Sequence, residues 1–195
     1  MSHLGDHYHR TTALLKKGDL EAAIAKYRLD LGLNPNDVCA HSNLGFALQK
    51  KGELREAIAE YRAALRLNPD SAEIHYCLGT ALQNKDDYEE AITEYRTVLR
   101  LNPNHMRAHY YLGIELQKKG DFKGAIAEYR AALRLDPNEA GSRYNLALAL
   151  EAIGDLVSSR KEYKKALKLI PSTSEYKDHV TYIRSALRRL NGAMR

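Results

Sequence analysis

The chain has 195 residues, 44% of them hydrophobic and 28% charged, with a formal net charge of +5. These values fit a folded soluble protein with a sizeable core, and so mild a basic excess does not by itself imply nucleic acid. No apolar run approaches the ~18 residues needed to cross a bilayer, and the opening MSHLGDHYHR lacks the apolar stretch of a secretory signal. Cys39 and Cys77 form neither a metal knuckle nor a redox CxxC pair. They read as reduced thiols, and a cytoplasmic location is expected. There is no Trp and there are only two Phe, so large aromatic contacts rest on the thirteen Tyr.

All five prolines, Pro35, Pro69, Pro103, Pro137 and Pro171, are spaced 34 residues apart. A fixed period of roughly 20–50 residues marks a solenoid of repeated supersecondary units. The units run 4–37, 38–71, 72–105, 106–139 and 140–173. Each carries a central turn: KKGD at 16–19, KKGE at 50–53, NKDD at 84–87, KKGD at 118–121 and AIGD at 152–155. Apolar residues at helical spacing flank each turn. In the second unit they are Leu44 and Leu48, then Leu54, Ala57, Ile58, Tyr61, Ala64, Leu65 and Leu67. This pattern predicts two amphipathic helices of about thirteen residues per unit. Glycine at 18, 52, 120 and 154 suits the left-handed end of the first helix, and each proline stops the second two residues after a leucine. After Pro171, Ser172–Glu175 reads as a capping box. Tyr176, Val180, Ile183, Leu187 and Leu190 then mark the apolar face of a final helix over 174–191, which predicts a cap on the stack.

The register resembles the tetratricopeptide-repeat family. A small residue stands at the eighth position of each unit in Gly45, Gly79, Gly113 and Ala147. Another stands at the twentieth in Ala23, Ala57, Ala91, Ala125 and Ser159, and Tyr27, Tyr61, Tyr95, Tyr129 and Tyr163 fill the twenty-fourth. The resemblance covers residues 4–173. It implies an all-α fold, a right-handed α-solenoid of stacked antiparallel helix hairpins, forming one domain. It departs where the family has a large aromatic: His7, His41, His75, His109 and then Arg143 stand there. Neighbouring hairpins lie on the order of 10 Å apart, too far for one metal with ligand bonds of ~2 Å. The histidine row is therefore expected to pack rather than ligate. His3, Asp6, His7 and His9 cluster near the N-terminus and read as a frayed first turn, with a fortuitous metal site as the alternative.

The sequence has no Walker loop, GxGxxG, HExxH or GxSxG. No catalysis and no cofactor are expected. The resemblance instead implies a concave groove lined by the first helix of each unit, binding a segment of another protein. Carried onto this chain, that groove offers Asn43, Phe46, Gln49, Tyr76, Thr80, Gln83, Arg107, Tyr110, Tyr111, Ile114, Gln117, Tyr144 and Asn145. Tyr supplies contact area at low entropic cost, and amide side chains can pair with an extended backbone. A variant of the family grips a C-terminal carboxylate with Lys, Asn and Arg. No starting unit here supplies that set; the first would offer Tyr8, Thr12, Asn43, Glu73 and Cys77.

A second surface competes with the groove. Arg62 with Arg66, Arg96 with Arg100, Arg130 with Arg134 and Lys164 with Lys168 recur four residues apart on the second helices. They form an outer basic stripe suited to an anionic partner or nucleic acid, unless Glu60, Glu94, Glu128 and Glu162 offset it. An accessory domain of a larger protein is the remaining alternative.

Overall fold

The computed structural model describes residues 20–171 and 177–193, and the chain divides into two compact units, residues 1–103 and 104–195. The first contains α1 (Leu20–Leu33), α2 (Val38–Lys51), α3 (Leu54–Leu67), α4 (Ala72–Asn84) and α5 (Tyr88–Leu101). Consecutive helices pack against one another as antiparallel hairpins. Local chemistry sets the ends. Asp37 caps α2 by accepting from the backbone N–H of Cys39 and Ala40 at 2.8 and 3.0 Å, and Ser71 caps α4. Gly52 closes α2 with φ of +89° and donates back to the last turn. The turn NKDD has no glycine, and Asp86 takes the left-handed conformation there, with φ of +66°. Aspartate tolerates that region better than most residues.

Inside each hairpin a glycine lets a tyrosine in. A Cβ on Gly45 would lie 2.9 Å from Tyr61 Cε1, and one on Gly79 would lie 2.8 Å from Tyr95 Cε1. Both tyrosines are completely buried, beside Ala57 and Ala91 on the same helices. The small residues thus make room, and Tyr supplies the volume that closes the core.

The second unit contains α6 (Met106–Lys118), α7 (Phe122–Leu135), α8 (Ala140–Ala152), α9 (Leu156–Leu169) and α10 (Lys177–Ala193). Gly113 meets Tyr129 as its counterparts do, with a Cβ distance of 2.6 Å. The last hairpin has Ala147 at this position and Ser159 opposite, whose hydroxyl donates to the Ala147 carbonyl at 2.9 Å. Helix α10 buries Ile183, Ala186 and Leu190 against Ala147, Tyr163 and Ala166. Arg189 reaches back to Glu151 at 2.6 Å.

Two expectations need correction. Leu67, assigned to an apolar helix face, is 40% exposed at its helix end. The histidine row is not simple packing. His41 Nδ1 lies 2.6 Å from a Glu60 carboxylate oxygen, and its Nε2 lies 3.0 Å from the Pro35 carbonyl oxygen. His75 repeats this with Glu94 at 2.5 Å and the Pro69 carbonyl at 2.9 Å. His109 meets Glu128 at 2.6 Å, and Arg143 meets Glu162 at 2.7 Å and the Pro137 carbonyl through Nε at 3.0 Å. Both ring nitrogens of His41 and of His75 thus face an oxygen. Arginine supplies donors on both sides permanently. Each bridge ties a first helix to its partner helix, and those of His41, His75 and Arg143 also hold the proline loop before it. His3, Asp6, His7, His9, Gly18 and the Ser172–Glu175 box lie outside the described residues.

Candidate peptide-binding groove

In the first unit the first-helix residues build a polar network around the core tyrosines. Asn43 and Cys77 are buried, at 8% exposure each, and so belong to the packed layer. Burial pushes the Cys77 thiol up to about 12. Phe46, Gln49, Tyr76, Thr80 and Gln83 are partly exposed. The buried Tyr61 hydroxyl donates to Gln49 Oε1 at 3.0 Å, and Tyr95 donates to Gln83 Oε1 at 2.9 Å. The other end of Gln49 donates to Thr80 Oγ1 at 3.2 Å, and Thr80 donates to the Cys77 carbonyl at 2.8 Å. The glutamines expected to meet a ligand therefore first satisfy the phenol of the core tyrosine, as a buried hydroxyl requires. Gln49 is engaged at both ends. Tyr76 leans on Tyr95 with ring centroids 6.2 Å apart, and Lys50 lies 5.3 Å from the centre of the Phe46 ring.

The second unit starts from the same pattern and leaves it open. Tyr129 donates to Gln117 Oε1 at 3.1 Å. The residue matching Thr80 is Leu148, which has no hydrogen-bonding group. Among the described residues the Gln117 amide nitrogen is uncommitted. It lines a cavity of about 380 Å³ with Ile114, Lys118, Phe122, Tyr129 and Asn145. Asn145 donates from Nδ2 to the Tyr110 hydroxyl at 3.3 Å and also borders a second cavity of about 230 Å³. That cavity is walled by Tyr110, Tyr144 and His179, with Ala140, Gly141 and Ile170. Tyr110 and Tyr111 meet edge to face at 5.2 Å, and Arg107 is exposed one turn earlier. Helix α10 covers part of Tyr144: His179 and Tyr182 stack edge-on against it at 5.4 and 6.0 Å. Burial, then the charge of Glu139, raises the Tyr110 hydroxyl to about 12. Burial also raises Tyr129, Tyr144 and Tyr163.

The sequence did not reveal three features of these surfaces. Gln49, Gln83 and Gln117 answer a tyrosine twelve residues later on the other helix, a spacing with no meaning inside one helix. Glu115 is fully buried where the equivalent residues are Ala47, Ala81 and Ala149, and it accepts from Lys118 at 3.1 Å. The outer arginines are partly spent, because Arg28 pairs with Glu56 at 2.9 Å and Arg62 with Glu90 at 2.7 Å. The expected offset was from Glu60, Glu94, Glu128 and Glu162, but those carboxylates serve the histidine and arginine bridges.

Stacked helix hairpins with small–Tyr interlocks and partly open first-helix faces define a helical-repeat interaction module. The chain belongs to the tetratricopeptide-repeat family: models described as TPR repeat match residues 12–52 and 50–86, and models described as tetratricopeptide repeat match 72–105 and 112–173. Among solved structures it is similar to MamA, at 29% identity and a TM-score of 0.78, over 82% of this chain and 93% of that one. A MamA fragment from Desulfovibrio magneticus RS-1 matches at 26% identity and a TM-score of 0.70, over 80% and 89% of the two chains. YrrB, described as a TPR protein with an unusual peptide-binding site, shares the fold at 23% identity and a TM-score of 0.73, over 85% and 86%. A search of curated proteins returns no match. No helix among the described residues is long and apolar enough to cross a membrane.

Proposed function

We propose that this module binds an extended segment of another protein along the first-helix face of its second unit. The observation that carries this is the uncommitted amide of Gln117 in the wall of the larger cavity, with Asn145 bordering both cavities. An extended backbone offers alternating C=O and N–H groups. Gln117 can donate to one carbonyl and Asn145 Oδ1 can accept from one N–H, while the cavities take side chains. Tyr110, Tyr111 and Tyr144 supply aromatic area of the kind that concentrates binding energy. The outer stripe is the weaker surface, since Arg28 and Arg62 already pair with carboxylates.

The test is selection of capped random peptides on the intact chain, followed by affinity measurement on variants. Tyr110→Ala is expected to weaken the selected peptides roughly thirtyfold, taking ~1.4 kcal/mol as tenfold. Reversing Arg96, Arg100, Arg130 and Arg134 to Glu should change affinity less than threefold. The opposite pattern would move the working surface to the outer helices.

A further inference from the structure

The smaller cavity has a chemistry of its own. Three aromatic rings face it, from Tyr110 on α6, Tyr144 on α8 and His179 on α10. The ring planes of Tyr144 and His179 are inclined at 73°, so they form adjacent walls rather than a stack. Gly141 forms part of the lining, and its missing Cβ matters. A Cβ there would stand 3.0 Å from Glu139 Oε1 and 3.2 Å from the Tyr110 hydroxyl oxygen. A carboxylate and a phenol therefore converge on one point of an aromatic wall. Glu139 caps α8 by accepting from the N–H of Gly141 at 3.0 Å and from Ser142, and each carboxylate oxygen keeps a further lone pair. The neighbouring cations are occupied or turned to solvent. Arg143 is held by Glu162 and the Pro137 carbonyl, Arg189 is held by Glu151, and Arg107 is exposed.

Aromatic faces attract a cation through their ring quadrupoles, and a nearby carboxylate adds to that attraction. Long basic side chains also bury their methylene stems against apolar walls such as Ile170 and Ala140. We infer that the cavity bounded by Tyr110, Tyr144 and His179, with Glu139 beside its Gly141 wall, is a specificity pocket that takes a Lys or Arg side chain of the bound segment. The inference rests on the proposed groove and adds the identity of one ligand residue. Asn145 lines both cavities, so the basic residue enters beside the point where the ligand backbone meets Asn145.

The probes are the selected capped peptides themselves, remade with the basic residue replaced by norleucine or by Glu. On the intact chain, Lys→norleucine should weaken binding about tenfold, and Lys→Glu should weaken it further. In Glu139→Gln, whose folding is checked by circular dichroism, the Lys-to-norleucine ratio should shrink to about threefold or less. His179→Ala, at an exposed position, should lower the same ratio. Gln117→Ala should weaken Lys and norleucine peptides equally. Selected peptides that lose affinity in Tyr110→Ala yet show no basic preference would overturn the pocket assignment while leaving the groove intact. A preference for Glu at that position would also overturn it, with Arg107 as the recognising group. If Tyr110→Ala has no effect on any peptide, the groove and the pocket fall together.

Discussion

Gln49 and Gln117 occupy equivalent places on equivalent helices, and each accepts a hydrogen bond from a buried tyrosine. They differ in one neighbour. Gln49 is closed off by Thr80, whereas the residue in that place for Gln117 is Leu148. A single change from hydroxyl to aliphatic side chain converts a self-satisfied helix surface into one with a spare donor at the edge of a cavity. Repeats with the same fold can therefore spend the same side chain differently: Gln49 is engaged at both ends by its own packing, whereas Gln83 and Gln117 give only their oxygen to a core tyrosine. The rule that buried or half-buried polar groups find partners decides which is which.

The largest effects should come from what the two units share. Tyr95→Ala in the first unit and Tyr129→Ala in the second should each destabilise by ~3–5 kcal/mol, measured by denaturant unfolding, because both rings are fully buried. Gly79→Leu should cost ~1–3 kcal/mol or more by forcing a side chain against Tyr95. Gly79→Ala should cost less, since Ala147 already faces Tyr163 in the last hairpin. An unchanged melting curve for Gly79→Leu would mean that the helices do not meet there.

Smaller effects sharpen the contrast between the units. Thr80→Val should cost ~0.5–1.5 kcal/mol, the worth of one ordinary hydrogen bond, with no loss of peptide affinity. Leu148→Thr should do the reverse. It gives Gln117 a partner and should weaken peptide binding several-fold, beyond any loss of packing against the α10 cluster. Equal responses to the two substitutions would erase the distinction. Alkaline pH offers a further test. The Tyr110 hydroxyl is raised to about 12 in the folded chain from an ordinary value of 10.0, so its contribution is complete below pH about 10. That contribution is lost as pH rises toward 12. Tyr110→Phe should flatten this part of the stability profile.

Much of the architecture was legible because each signal is local. Prolines, turn glycines and the small–Tyr spacing repeat with one period, and the second helices end at Leu33, Leu67, Leu101, Leu135 and Leu169, two residues before each proline. The roles of polar side chains were less legible because their partners sit on another helix. His75 looks like a packing residue until Glu94 and the Pro69 carbonyl are seen on either side of it. Glu94 in turn looks like part of a solvated face. Gln117 was singled out for its chemistry, but nothing in its own helix tells that its oxygen is taken by Tyr129 and its nitrogen is not. The tyrosines of the inner face were visible as a row, whereas the cover that α10 places on Tyr144 depends on where a helix more than thirty residues later docks.

The central claim is most directly tested by following side-chain amide signals in ¹H–¹⁵N spectra of the intact, labelled chain as a selected peptide is added. The account predicts that the NH₂ signals of Gln117 and Asn145 shift in a saturable way, with the same midpoint as binding, while those of Gln49 stay in place. Shifts confined to Gln49 and Gln83, or no amide shift at a concentration that saturates binding, would contradict it.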